Sequence, residues 1–103
     1  MKTIKINHIG YTVLVKTMKD FKKTPEYNPI LKAVVVRDSC HQSTIYIKDT
    51  KAINISSVAH EVLHVLQFIS EDRFIDMTKE KEHFAYMMSY IMNKILGYEY
   101  ETN

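Results

Sequence analysis

The run Ser56-Ser57-Val58-Ala59-His60-Glu61-Val62-Leu63-His64-Val65-Leu66-Gln67-Phe68 contains the spacing HExxH. On a helix His60 and His64 fall one turn apart on the same side, so their imidazoles can converge on one metal ion. Glu61, rotated about 100° from His60, reaches a water bound to that ion rather than the ion itself. Two imidazoles that hold an ion, and a carboxylate that takes a proton from its water, make up the chemistry of a hydrolytic zinc site.

The residues around the motif, from Val58 and Ala59 to Phe68 and Ile69, are apolar on nearly every side, which predicts a helix buried in a core. Its polar positions, His60, Glu61, His64, Gln67 and Glu71, form a single stripe. A buried ionisable stripe needs partners, and a metal ion would provide them. The plainer reading is a pair of histidines hydrogen-bonded in a core, with the glutamate at a surface edge.

Stepping outward along the chain, residues 3 to 16 alternate as two strands around a turn at Gly10, with Tyr11, Val13 and Val15 on the buried face. From Lys16 to Pro29 an exposed connection is expected, with one helical turn before Pro25, because Pro25 and Pro29 break regular structure. Lys32 to Asp38 and Ser43 to Asp49 read as strands of a second hairpin, with Cys40 and His41 near its tip. Those two could bind metal, but adjacent residues rarely chelate one ion, and a plain turn is the simpler reading.

The motif helix is expected from about 57 to 70, capped by Ser56 or Ser57. A last helix should begin near Asp76 or Thr78, bury Phe84, Met87, Met88, Ile91, Met92, Ile95 and Leu96, and stop at Gly97. The tail from Tyr98 to Asn103 should fray. The fold class that follows is α+β: a small, mostly antiparallel sheet of about four strands, then two packed helices, in a single domain over 1–103.

A catalytic zinc usually takes three protein ligands and leaves one position for water. Glu80, Glu82 and His83 on the last helix are the candidates for the third. Glu82 shares a polar stripe with Tyr86, Ser89 and Asn93, which favours it. Tyr86, one turn further on, is the candidate to stabilise an oxyanion, with His83 and His41 behind it. Its competing role is a packed aromatic with its hydroxyl at the surface.

An HExxH run followed by a glutamate on a later helix, here His60-Glu61-Val62-Leu63-His64 and then Glu82 within Glu82-His83-Phe84-Ala85-Tyr86, resembles the gluzincin class of zinc metallopeptidases. More narrowly it looks like the compact zincin-like peptidases of bacteriophage genomes, and more distantly the small cytoplasmic peptidases of the ImmA/IrrE type. The resemblance implies a zincin-like fold, Zn2+ held by His60, His64 and Glu82, and Glu61 as catalytic base. It also implies an extended peptide or protein substrate laid along an exposed sheet edge. Larger gluzincins follow the glutamate with an aspartate that orients a ligand histidine. Position 86 here is Tyr, so that support must come from elsewhere.

Composition narrows the alternatives. The 103 residues carry a formal charge of only +2, with 46% hydrophobic and 25% charged residues. That gives no reason to expect direct nucleic-acid binding. No apolar run is long enough for a membrane span. Met1 to His8 alternates polar with apolar residues, unlike a secretory signal. One cysteine, Cys40, fits a reducing compartment, so a cytoplasmic protein is expected, in the host cytoplasm if phage-encoded. A different class of function is an inactive zincin-fold interaction protein that binds a host or phage regulatory protein. A purely structural ion is a third reading, but a closed site has no need of a base such as Glu61 beside it.

Overall fold

Gly10 closes the first hairpin. It adopts a left-handed conformation (φ 62°) and donates its N–H to the Asn7 carbonyl at 3.2 Å, a backbone state that costs glycine little. In the computed structural model, residues 2–17, 32–48 and 53–97 are described. They form β1 (Lys2–Ile6), a 3-10 turn (Asn7–Ile9), β2 (Tyr11–Thr17), β3 (Ala33–Ser39), β4 (Gln42–Ile47), α1 (Ile55–Arg73) and α2 (Lys81–Leu96). The expected connection through Pro25 and the tail from Tyr98 lie outside the described residues.

The architecture is α+β, with a four-stranded sheet in the order β1-β2-β4-β3. Strand β1 pairs antiparallel with β2, β3 pairs antiparallel with β4, and β2 pairs parallel with β4. The parallel pair arises because the second hairpin enters the sheet with β4 inward and β3 outward, which leaves β1 and β3 as its two edges among the described residues. The register sets Ile4 opposite Val13, Ile6 opposite Tyr11, and Val35 opposite Ile45. Period-two alternation therefore gathers Ile4, Ile6, Tyr11, Val13, Val15, Ile45 and Ile47 into one apolar cluster with the helices. Within it the Tyr11 and Ser43 hydroxyls hydrogen-bond to each other.

Helix α1 starts earlier and ends later than its sequence suggests. Its cap is Asn54, whose side chain accepts the Ser57 N–H at 2.9 Å, rather than Ser56 or Ser57. The charged stretch Ser70 to Arg73 stays helical because tertiary partners hold it. Arg37 of β3 pairs with Glu71 and Asp72, and Arg73 donates to the carbonyls of Ile9, Gly10 and Cys40. Phe74, in a left-handed conformation, then ends the helix.

Burial on nearly every side of α1 is not what the fold gives. Val58, Val62, Val65, Leu66 and Ile69 are buried, but Leu63 is 44% exposed and His60 is exposed. The helix lies on one face of a small sheet and turns its other face to solvent. For α2 the expected caps are also displaced: Asp76 accepts from the Thr78 N–H and hydroxyl in the preceding turn, and the helix begins at Lys81. Its stop at Gly97 (φ 77°) is as expected. The Lys2 ammonium donates to the carbonyls of Lys94 and Ile95 at that end, where a cation suits the helix dipole. Among the described residues no helix is long and apolar enough to cross a membrane.

Candidate metal centre

The His60 and His64 rings stand side by side on the outer face of α1, one turn apart, with their Nε2 atoms 3.1 Å apart and their planes nearly perpendicular at 80°. Two imidazole nitrogens about 2.0–2.1 Å from a tetrahedral zinc would lie about 3.3 Å apart. The pair therefore needs to open by only about 0.2 Å to take an ion.

The proton positions follow from the neighbours. Gln67 Oε1 lies 2.9 Å from His64 Nδ1 and can only accept, so that nitrogen carries the proton. His64 Nε2 is then a bare lone pair, and His60 Nε2–H donates to it. The Phe68 ring stacks near His64, with centroids 6.5 Å apart, and the Arg37 guanidinium lies 4.9 Å over Phe68. The stripe is thus buttressed along β3.

Glu61 reaches the same strand. Its carboxylate accepts a hydrogen bond from the Val35 backbone N–H. Lys48 N–H donates to the Lys32 carbonyl at 2.9 Å, so the even-numbered residues here bond to β4 and the N–H of Val35 points out from the sheet. Burial pushes the Glu61 carboxyl above its ordinary value, while His60, His64 and the Val35 N–H pull the other way. Its net position is that of a carboxylate made more basic by its surroundings.

Of the five expected site residues the fold brings together three, His60, Glu61 and His64, and sets Glu82 and Tyr86 apart. Arg73, at the end of α1, bonds to the turns at Gly10 and Cys40, and His83, at the start of α2, bonds to His8 beside that same end of the sheet. Lys2 meets the far end of α2. The two helices are therefore antiparallel. His64 lies nine residues back from Arg73, about 13 Å down the axis, whereas Glu82 is exposed in the first turn of α2.

The flanks differ as well. Helix α1 packs over β3 and β4, with its histidine stripe on the β3 side, and α2 packs over β1. Tyr86 is 72% exposed and lines a cleft at the β1 edge. His41 Nδ1 accepts from Arg73 at the tip of the second hairpin, where Cys40 is exposed. Among the described residues no group of three or more His, Cys, Asp or Glu is placed to hold an ion.

The contacts around the motif that sequence reasoning missed are those of Gln67, Val35 and Arg37. Gln67 stands three positions after His64 on the same stripe, a spacing that itself suggests contact. Nothing local marks Val35 or Arg37, whose roles depend on how α1 lies across β3. Compared with protein-family models, curated proteins and solved structures, the chain has no match.

Proposed function

We propose that the chain is a zinc-dependent metallopeptidase that works at His60, Glu61 and His64. The observation that carries this reading is the 3.1 Å approach of the two Nε2 atoms, with the His64 tautomer fixed by Gln67 so that its ligating nitrogen is bare. The donor chemistry fits zinc, which takes neutral imidazole nitrogens. When bound by His60 and His64, zinc supplies Lewis acidity and lowers the pKa of a bound water toward about 7.

The chain's own residues do the rest. His60 gives up its Nε2 proton on loading, and Gln67 keeps His64 in the ligating tautomer. Glu61, made more basic by burial, takes the proton of the attacking water. The substrate is an extended peptide laid along the free edge of β3, where the N–H of Val35 already holds an anionic oxygen. The gluzincin resemblance assigns Glu82 as third ligand, and the position of Tyr86 one turn further on makes it the candidate oxyanion donor. Their places on α2 lend that assignment no support, so the proposal stands on the other three residues.

Elemental analysis of the purified wild type, His64→Ala and Glu82→Ala tests the reading. About one zinc per chain in the wild type, lost in His64→Ala, supports it. Loss in Glu82→Ala as well would assign the third ligand to Glu82, and retention would restrict the protein ligands to the two histidines. If zinc supplied at neutral pH leaves no metal on the wild type, the proposal fails.

One observation favours a second reading, an interaction protein without turnover that binds a host or phage regulatory protein. Among the described residues no third ligand accompanies the histidine pair. Glu61→Gln separates the two: it abolishes the function of a hydrolase and leaves that of a binding protein intact.

A further inference from the structure

At the opposite edge of the sheet a second pair of histidines meets. His8, in the 3-10 turn after β1, and His83, in the first turn of α2, are 75 positions apart in the chain, yet their Nε2 atoms are 2.8 Å apart. The ring centroids are 5.0 Å apart and the planes are inclined at 45°. The contact is made by tertiary structure alone, so helical periodicity does not account for it.

We propose that His8 and His83 form a second, independent site for a borderline divalent transition-metal ion, copper(II) or zinc. Imidazole nitrogen suits both ions. Two nitrogens about 2.0 Å from an ion lie about 2.8 Å apart in adjacent square-planar positions and about 3.3 Å apart in tetrahedral ones. The observed separation is the first of these, and the second needs a movement of about 0.5 Å. One ring now donates its N–H to the lone pair of the other. An incoming ion takes that lone pair directly and displaces the proton from its partner.

The surroundings leave room to complete the coordination. Both rings line a cleft of about 450 Å³, walled by Tyr86, Met87 and Tyr90 of α2 and by the end of β1. The Tyr90 hydroxyl donates to the Lys5 carbonyl at 3.2 Å and fixes one wall. His8 is exposed and His83 half-buried, so the nitrogens can be reached from solvent. Among the described residues no carboxylate or thiol joins them. The remaining positions belong to water or to an oxygen of a ligand in the cleft. This site does not depend on what His60 and His64 do.

The test titrates chelator-stripped protein with copper(II), and separately with zinc, against a competing chromophoric chelator. In His60→Ala/His64→Ala one binding event remains, and adding His8→Ala or His83→Ala weakens it by at least about tenfold. On the wild type, substoichiometric copper(II) broadens the NMR ring resonances of His8 and His83, a readout that no variant's folding can disturb. The proposal is overturned if His8→Ala and His83→Ala bind metal as their parent does. It is equally overturned if the two rings do not respond to copper. Should the His60 and His64 site alone fail, the wild type keeps a single event that follows His8 and His83.

Discussion

The Glu61 carboxylate holds the outward-facing N–H of Val35, so the only carboxylate within the HExxH run sits against the free edge of β3. A half-buried side chain on the flank of α1 is thereby joined to an outward-facing position of the sheet. The same N–H would otherwise be open to pairing with another chain. In the proposed peptidase, the base and the substrate-pairing edge would meet at this one backbone position, which ties α1 to β3.

Glu61→Gln is expected to be at least as stable as the metal-free wild type at pH 7. Burial raises the Glu61 pKa above its ordinary value of 4.5, so the folded protein holds that proton to higher pH than the unfolded chain. Glu61 therefore costs stability progressively as pH rises from about 4.5 through the folded value, and the cost vanishes below both. Glutamine keeps an acceptor for Val35 and carries no charge. Urea denaturation at pH 4 and pH 7 should show the variant's advantage only at the higher pH.

Gln67→Ala should weaken zinc binding by about 10–100-fold, because the His64 tautomer is no longer fixed. Gln67 is exposed, so unfolding free energy should change by no more than about 0.5 kcal/mol. Gln67→Glu restores an acceptor and should recover the affinity. Chelator competition beside thermal melts separates the two effects.

Tyr11→Phe leaves the Ser43 hydroxyl buried without its partner and should cost about 1–3 kcal/mol. Adding Ser43→Ala removes the orphaned group, so the double variant should be more stable than the sum of the two single losses. A double-mutant cycle in urea that gives simple additivity would contradict this coupling.

Phe74→Gly should stabilise the protein by up to about 1 kcal/mol. Phe74 holds φ at 53°, a conformation that costs a side-chain residue about 1–2 kcal/mol relative to glycine. Its ring is 96% exposed, so little packing is lost. A lower melting temperature for the variant would show that the ring has a role the surface hides.

Ile69→Ala should cost about 2–5 kcal/mol, because Ile69 is fully buried between α1 and the sheet. Leu63→Ala, on the exposed side of the same helix, should stay within about 0.5 kcal/mol. Equal losses at the two positions would mean that something covers the outer face of α1.

The sequence by itself determined the elements and the motif pair. Period-two runs such as Tyr11-Val13-Val15 specify strands, Gly10 and Gly97 supply the positive φ their turns require, and i,i+4 spacing alone brings His60 to His64. These are local consequences of backbone geometry. The tertiary structure decided which strands are edges, how far α1 runs, and what stands beside the motif. Arg37 holds Glu71 and Asp72 across 34 and 35 positions, and that pairing keeps the last turn of α1 helical. The approach of His8 to His83 and the reach of Glu61 to Val35 are decided in the same way. The separation of Glu82 from the histidines follows from helix direction: an antiparallel partner that begins where α1 ends sets its first turn far from residues in the middle of α1. Spacing along the chain carries no record of that direction, because it emerges only when both helices pack on one sheet.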